Sequence, residues 1–301
     1  MMVDSTPWVD GNIQIGAVYP QIELGGDPHA VRRFGKAVEE LGFDYLLAYD
    51  HVLGAEHAGR TPRLTGPYTE HDPFHDPFVM FAYLAAITER IGFATGVLIL
   101  PQRQTALVAR QAADLDLLSG GRLRLGVGVG WNHVEYEALG QDFRTRGARQ
   151  EEQIDLLRRL FTEPVVDFSG RFDRIERAAL VPKPARSIPI WLGGGAEAAL
   201  DRAARLGDGF MFFGQNGVAH ALDSWKRLRE RLTDLGRAPE EFGAEYVALP
   251  RGGIEKLAAD VDAWRAAGGS HVSVATMGQG LDGVEAHIDY LASAARALDL
   301  G

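Results

Sequence analysis

The stretch GRLRLGVGVGWN, residues 121–132, alternates between two kinds of side chain along most of its length. One side carries four apolar residues, Leu123, Leu125, Val127 and Val129, and the other carries Arg124, Gly126, Gly128 and Gly130. A period of two predicts a β-strand, here with one face almost free of side chains. We interpret the bare face at Gly128 and Gly130 as the place where a flat ligand or its phosphates approach the strand end. For Gly126 the alternative stays open that glycine only relieves crowding between strands.

Buried strands of this kind recur along the chain and alternate with amphipathic helices. Eight strands are predicted, at residues 12–20, 43–51, 91–100, 122–130, 188–195, 208–214, 243–250 and 271–278. Most are continuous apolar runs, as in a parallel sheet that is covered on both faces. Eight strand–helix units in 301 residues predict one domain, residues 1–301, with the α/β fold of a single (β/α)8 TIM barrel. A doubly wound open sheet is the alternative, but it has fewer strands and an early dinucleotide-binding loop.

Two long segments interrupt the alternation. Residues 53–76, after the second strand, are rich in Gly, Pro and His, and residues 163–187, before the fifth strand, have the pattern of a small hairpin. Loops of this length in a compact domain usually serve a function. We therefore expect lids at both insertions.

The composition narrows the possible partners. The formal net charge of −10 disfavours nucleic acid and anionic membranes, and the lack of cysteine excludes disulfides and thiolate-bound zinc. His71 and His75 flank Pro73, which prevents the helical face that a histidine metal site would need, so no metal is expected. No secretory leader pattern is visible, and the longest apolar run, residues 91–100, is well short of the roughly 20 residues that span a bilayer. We expect a cytoplasmic protein that acts on a small molecule.

Barrel enzymes place their chemistry at the carboxyl ends of the strands, and here that rim holds few ionisable groups, chiefly Asp50 and His51. His51 is the candidate for proton transfer; the alternative is a structural histidine bonded to Asp50 or to a loop carbonyl. The glycine run 193–195 leads into a helix, which predicts an anion site; a plain tight turn is the alternative. Aromatic residues are expected to wall an apolar pocket, namely Tyr19, Tyr68, Trp131, Phe212 and Phe213.

Three stretches carry a family resemblance. They are AYDH (48–51), the run from ATGVLILPQ to GVGVGWN (94–132) and PIWLGGGAEAALDRAARLGDGF (189–210). With them the chain resembles the bacterial luciferase-like superfamily, in particular the branch that uses the deazaflavin coenzyme F420. The resemblance implies a TIM barrel, a flavin or deazaflavin that carries hydride in its mouth, and a homodimer.

The resemblance also implies roles for particular residues. Gly96 and Val97 match a site where the family often has a non-proline cis peptide bond behind the central ring of the cofactor. His51 matches a histidine that faces the reacting carbon. The remaining assignments to cofactor binding are Asp50, Gly128, Gly130, Trp131, Gly193, Gly194, Gly195, Ala196 and Met211, of which Gly194, Gly195 and Ala196 match the phosphate loop. The substrate pocket is assigned to Tyr19, Tyr68, Trp131 and Phe213.

Two departures from the family pattern bear on the substrate. The branch that oxidises sugar phosphates has a glutamate where this chain has Trp131, and a lysine where it has Asp201. We therefore expect a small, fairly apolar carbonyl, alcohol or enone as the substrate that exchanges hydride with coenzyme F420. An FMN-dependent monooxygenase that uses oxygen is the alternative, and a non-catalytic barrel that binds flavin or deazaflavin is a second one. The acidic tail of coenzyme F420 favours a basic groove, for which the candidates are Arg103, Arg144 and Arg146.

Overall fold

A computed structural model describes residues 13–300. Its strands are β1 (Gln14–Val18), β2 (Tyr45–Ala48), β3 (Gly92–Thr95), β4 (Leu98–Ile99), β5 (Leu123–Gly128), β6 (Val166–Ser169), β7 (Arg174–Ala178), β8 (Ile190–Gly193), β9 (Gly209–Phe213), β10 (Gly243–Ala248) and β11 (His271–Ala275). β6 and β7 form an antiparallel hairpin, and all other pairs are parallel. β1 pairs with both β2 and β11, and β3 pairs with β5, so the main sheet closes on itself. With β3 and β4 counted as one interrupted strand, eight strands form the barrel, which confirms the predicted TIM barrel.

Helices surround the barrel. They are α1 (Gln21–Leu24), α2 (Pro28–Glu40), α3 (Pro77–Ala85), α4 (Thr105–Leu118), α5 (His133–Ala138), α6 (Arg146–Thr162), α7 (Glu197–Leu206), α8 (Gly217–Asp234), α9 (Gly253–Ala266) and α10 (Gly283–Ala297). α2 and α3 both begin after an Asp-Pro pair. The Asp27 carboxylate accepts from the N–H of His29 at 2.9 Å, and the Asp76 carboxylate accepts from the N–H of Phe78 at 3.0 Å. The proline that follows fits the first helical position because it has no N–H to leave unpaired.

A buried ion pair closes the amino-terminal end of the barrel. Arg124 of β5 and Glu245 of β10 approach to 2.9 Å, and both side chains are buried. The Arg124 guanidinium also lies 4.5 Å from the ring centre of Tyr45 and 4.1 Å from that of Trp191, which adds cation–π attraction. Apolar inward-facing residues follow further along the strands, among them Val18, Leu47, Met211, Val247 and Ala275. The barrel is therefore open to ligands only at its carboxyl end.

The glycines of β5 face protein atoms. A Cβ atom at Gly126 would lie 2.7 Å from the methyl carbon of Met211, and one at Gly128 would lie 2.3 Å from a methyl carbon of Val97. The interpretation that a ligand lies directly against Gly128 is therefore wrong, and the crowding alternative holds for both positions. Gly130 differs, since its φ of +64° is a left-handed conformation that glycine adopts without strain.

The two insertions have different places in the fold. The second contains the predicted hairpin, whose turn is held by Glu152: its carboxylate accepts from the N–H groups of Arg171, Phe172 and Asp173 at 2.7 to 2.8 Å. No residue of this hairpin reaches the mouth of the barrel, so the expectation of a lid there is wrong. The first insertion, residues 53–76, does reach the mouth through Pro67 and Tyr68. None of the helices among residues 13–300 is long and apolar enough to cross a membrane.

Candidate active site

A cavity of about 660 Å³ opens at the carboxyl end of the barrel. Its volume is in the range of pockets that hold a cofactor or a drug-sized ligand. The cavity brings together most of the residues assigned from the sequence, namely Asp50, His51, Tyr68, Gly96, Val97, Gly130, Trp131, Gly193, Gly194, Gly195, Ala196 and Phe213. Tyr19, Gly128 and Met211 were also assigned, and they are not part of its wall.

Tyr19 points out of the barrel because side chains alternate along a strand. Val18 faces the interior, so Tyr19 faces the helices, where its ring packs edge-on against Phe34 at 5.5 Å. Phe212 is turned outward in the same way and contacts Trp264 at 5.3 Å. The assignment of Tyr19 to the substrate pocket is therefore corrected: it is a fully buried residue of the outer core.

Gly128 and Met211 lie one layer beneath the cavity. Met211 is fully buried inside the barrel beside Gly126, and Gly128 is covered by Val97. Both residues therefore support the floor of the cavity, and neither is exposed to a ligand.

Val97 forms that floor. The Gly96–Val97 peptide bond is cis, as the family resemblance implies, and it lies between β3 and β4. The side chain of Val97 extends across to Gly128 and Gly193, where a Cβ atom would lie 2.3 and 2.8 Å from its methyl carbons. The absence of side chains at these two glycines is what lets Val97 lie flat over the barrel interior.

One end of the cavity is suited to an anion. The run Gly193–Ala196 leads into α7, and the N–H groups of Gly195 and Ala196 make no backbone hydrogen bond within residues 13–300. Arg146, Gln150 and Arg202 form the adjacent wall. Gln150 is buried, and its Nε2 has no partner among the described residues. Free amide donors, a helix amino terminus and arginine side chains together favour a phosphate-like group.

The three arginines proposed for a basic groove, Arg103, Arg144 and Arg146, do not form one groove in the structure. Arg146 lines the cavity, whereas Arg144 does not. Arg103 donates to the carboxylates of Asp50 at 2.7 Å and of Asp76 at 3.2 Å. Asp50 also accepts from the N–H of Ile99 at 2.9 Å. Its carboxylate therefore ties the end of β2 to β4 and is committed to protein partners.

His51 lies at the other end of the cavity, enclosed by aromatic rings. Its ring centre is 5.3 Å from that of Tyr68, 4.8 Å from that of Phe74 and 5.5 Å from that of Trp131. Gly66 lies flat on Trp131, because a Cβ atom there would be 2.2 Å from the indole ring. The first insertion thus covers His51, and burial raises the pKa of Tyr68 so that its phenol stays neutral.

Sequence reasoning missed a carboxylate beside His51. Glu135 of α5 is only 1% exposed, and its Oε1 lies 3.3 Å from Nδ1 of His51. The same oxygen accepts from the backbone N–H groups of Val52 and Leu53. The structural alternative for His51, a hydrogen bond to Asp50 or to a loop carbonyl, is not found within residues 13–300, where Glu135 is the partner of the ring. A glutamate in the first turn of a short helix is an ordinary feature, so the sequence offered no strong signal for it.

No group of three or more His, Cys, Asp or Glu side chains among residues 13–300 is arranged to hold a metal ion.

Comparison with known proteins places this site in context. The model of the family described as luciferase-like monooxygenase matches residues 13–290. An uncharacterized protein of Mycobacterium tuberculosis is 42% identical over 203 residues, which are 65% of this chain and 69% of that protein. The F420-dependent glucose-6-phosphate dehydrogenase of Segniliparus rotundus is 29% identical over 80% of this chain and 68% of its own length. Among solved structures, an F420-dependent secondary alcohol dehydrogenase in complex with an F420-acetone adduct has the same fold, with a TM-score of 0.77 and 17% identity over 95% of this chain and 99% of that one.

Proposed function

Since the chain belongs to the luciferase-like monooxygenase family, we propose that it is an oxidoreductase that works with coenzyme F420 and a small, fairly apolar carbonyl, alcohol or enone. The observation that carries this proposal is that the two ends of one cavity differ in chemistry. One end has the glycine run 193–195 beside arginine side chains, and the other end has His51 among aromatic rings. The coenzyme of the Segniliparus rotundus relative, as its name gives it, supports the choice of F420.

The residues present fit such a coenzyme. The flat floor at Gly96 and Val97 suits a planar ring system, and the glycine run 193–195 leaves room for a phosphate. The unpaired Nε2 of buried Gln150 is a donor that a ligand oxygen would satisfy. Arg146 in the same wall suits the acidic tail. When bound, the deazaflavin supplies the group that accepts or donates hydride.

The chain itself supplies position, a dry pocket and one proton carrier. His51 would take the hydroxyl proton of an alcohol as hydride leaves the adjacent carbon, and would return a proton to the carbonyl oxygen in the reverse direction. The aromatic rings of Tyr68, Phe74 and Trp131 exclude water from this exchange.

The wall around His51 supports an apolar substrate. The rings in contact with His51 are those of Tyr68, Phe74 and Trp131. Further apolar and aromatic side chains line the cavity, among them Ile22, Tyr49, Phe213 and Leu249, together with the polar Gln215 and Arg251. Asp201 carries no weight in this argument, because it lies outside the cavity wall and pairs with Arg231 at 2.6 Å. Trp131 therefore remains as the one departure from the sugar-phosphate branch that lies in the cavity.

We also propose that the protein is a homodimer. The exposed positions Val79, Ala82 and Tyr83 give α3 an apolar outer face, and α3 carries no charged residue between Pro77 and Ala85. A helix that is apolar on all sides is normally covered. Leu107 on α4, a helix that packs against α3, is also exposed, and the family resemblance supports a second copy of this chain as what covers the outer face of α3.

Anaerobic titration of the purified protein with coenzyme F420 and with FMN, followed by fluorescence, tests the proposed cofactor. We expect tight binding of coenzyme F420. Tight binding of FMN alone would instead favour the oxygen-using monooxygenase. Binding without turnover of any carbonyl, alcohol or enone would favour the non-catalytic barrel.

A matched pair of variants locates the anion end. Gly195 and Gly26 both have open space where a Cβ atom would be and neither has a left-handed backbone, so both accept a side chain without strain. Gly195→Asp puts a negative charge beside the α7 amino terminus, and we expect it to weaken coenzyme binding about 10- to 100-fold. Gly26→Asp, outside the cavity wall, is the control and should bind as the wild type does.

A further inference from the structure

The buried carboxylate of Glu135 lies beside the imidazole of His51, with Oε1 3.3 Å from Nδ1. We propose that Glu135 is a positioning residue that holds the His51 imidazole with Nδ1 protonated and Nε2 free toward the cavity. The expected effect of Glu135 on turnover rests on the proposed function. Which ring nitrogen of His51 carries the proton does not depend on that function.

The hydrogen bonds to one oxygen define the direction of the contact. Oε1 of Glu135 accepts from the N–H of Val52 at 2.6 Å and from the N–H of Leu53 at 3.0 Å, and it lies 3.3 Å from Nδ1 of His51. Because two backbone N–H groups already donate to Oε1, this oxygen is an acceptor and carries no proton of its own. In a hydrogen bond between Oε1 and Nδ1, the ring nitrogen must therefore be the donor. A separation of 3.3 Å is at the long end for such a bond, as is common for catalytic pairs without bound substrate.

The second ring nitrogen, Nε2, lies in the cavity wall without a hydrogen-bond partner among residues 13–300. The edge contacts with Tyr68, Phe74 and Trp131 restrict rotation of the imidazole, so Nε2 keeps its direction. A neutral imidazole that donates from Nδ1 carries its lone pair on Nε2, which is the state a proton acceptor needs.

The other titratable groups near the ring do not replace Glu135. Asp50 precedes His51 in the chain, but its carboxylate pairs with Arg103. Tyr68 of the first insertion stays neutral because burial raises its pKa. Among the described residues Glu135 is thus the one carboxylate that contacts the imidazole.

Glu135 also acts during proton transfer. In the proposed reaction the O–H bond of an alcohol would break as its proton forms an N–H bond to Nε2 of His51, and the electron pair of the adjacent C–H bond would leave as hydride, which a bound deazaflavin would accept. The imidazole becomes a cation at that moment, and a carboxylate 3.3 Å away stabilises it.

Glu135→Gln tests the inference, because it keeps the size of the side chain and removes its charge. Glu137→Gln is the matched control, since Glu137 lies two residues further along α5 and is exposed. Long-range ¹H–¹⁵N NMR on ¹⁵N-histidine-labelled protein, with no coenzyme added, reports which ring nitrogen of His51 carries the proton; His51→Asn identifies its signals. We expect the Nδ1–H form in the wild type and in Glu137→Gln, and a loss of this preference in Glu135→Gln.

Kinetics supply the second readout. With Glu135→Gln we expect kcat to fall about 10- to 100-fold with little change in KM, and the acidic limb of the pH profile of kcat/KM to move to lower pH, because the cation is no longer stabilised. A His51 that keeps its Nδ1–H form in Glu135→Gln, or that is in the Nε2–H form in the wild type, overturns the inference. A changed ring state with unchanged turnover supports the positioning contact but contradicts the proposed role of His51 as the proton carrier.

Discussion

His51 is the residue on which the proposed chemistry depends most directly. Replacing it with alanine removes the proton carrier and leaves the anion end and the floor of the cavity in place. We expect His51→Ala to lower turnover about 10²- to 10⁴-fold while coenzyme affinity changes little. Single-turnover rates and fluorescence titration measure the two quantities separately.

His133→Ala is the control for that substitution, since His133 contacts Phe143 and is not part of the cavity wall. Wild-type turnover in His51→Ala would return His51 to a structural role.

At the scale of residues, the sequence predicted the composition of the site better than its contacts. The interpretation of Gly128 as a place of ligand approach was wrong, because the atoms nearest to Gly126 and Gly128 belong to Thr95, Met211 and Val97. Periodicity tells which face of a strand a residue occupies, and it does not tell which neighbour fills the space opposite. Glu135 was missed for the same reason, because its partner His51 is 84 residues away in the chain.

Glu39 at the end of α2 links this helix to the start of β3. Its carboxylate accepts from the N–H groups of Glu89, Arg90 and Ile91 at 2.7 to 3.2 Å. Burial acts to raise the pKa of Glu39, but these amide donors and the charge of Arg90 outweigh it and lower the pKa. The stabilisation is therefore present above the pKa of an unfolded glutamate, about 4.3, and is lost as the pH falls through the lowered value.

We accordingly expect Glu39→Gln to lower the melting temperature at pH 7, and the difference from wild type to shrink as the pH falls toward about 3. Thermal unfolding at a series of pH values measures this. Glu40→Gln, at the exposed neighbouring position, should follow the wild-type curve throughout; a constant offset for Glu39→Gln at every pH would contradict the electrostatic explanation.

At the scale of elements, the sequence predicted those helices that have clear start and stop signals, and it missed elements whose local signals are weak. Asp27 and Pro28 are helix start signals and Gly42 is a stop signal, so the sequence predicts a helix over residues 27–42, which the structure has as α2. The six-residue α5 was not predicted, since so short a helix is stabilised by its Asn132 cap and its packing more than by periodicity. The division of the predicted third strand, residues 91–100, into β3 and β4 was not predicted, because the run is apolar almost throughout; the family resemblance implied only the cis peptide bond between Gly96 and Val97.

The ion pair of Arg124 and Glu245 matters to the whole molecule, because it joins opposite walls of the barrel at its closed end. Glu245→Ala would leave Arg124 buried without its carboxylate. We expect a loss of about 3–5 kcal/mol in the free energy of unfolding, measured by urea denaturation. The double variant Arg124→Met with Glu245→Ala removes both charges and should recover much of this loss. Equal losses in the single and the double variant would show that lost volume and the lost hydrogen bonds from Tyr45 and Ser273 to Glu245, rather than the unpaired charge, are responsible.

The proposed dimer is tested on the outer face of α3. Val79→Glu places a charge at a position that is 69% exposed in the single chain, so the folded monomer should tolerate it. We expect the dimer to dissociate, as measured by sedimentation velocity. Leu235→Glu, at a position 51% exposed beyond the end of α8, is the control, and a monomeric wild type would contradict the proposal.

Of the three scales, the fold of the whole molecule was the most predictable from the sequence. Eight repeats of strand and helix leave few arrangements, and closure of the sheet through β3 and β5 follows from their number. The place of the two insertions was less predictable. Both are long, yet one covers His51 and the other lies against α6, because side-chain anchors such as Glu152 decide where a loop settles.

Because the amino-terminal end of the barrel is closed by the Arg124–Glu245 pair, ligands can enter the barrel only at its carboxyl end. Coenzyme and substrate must share it, and the coenzyme ring is expected to lie deepest, over Val97. A substrate that bound first would block entry of the larger coenzyme. We therefore expect an ordered mechanism, in which the coenzyme binds before the substrate and dissociates after the product.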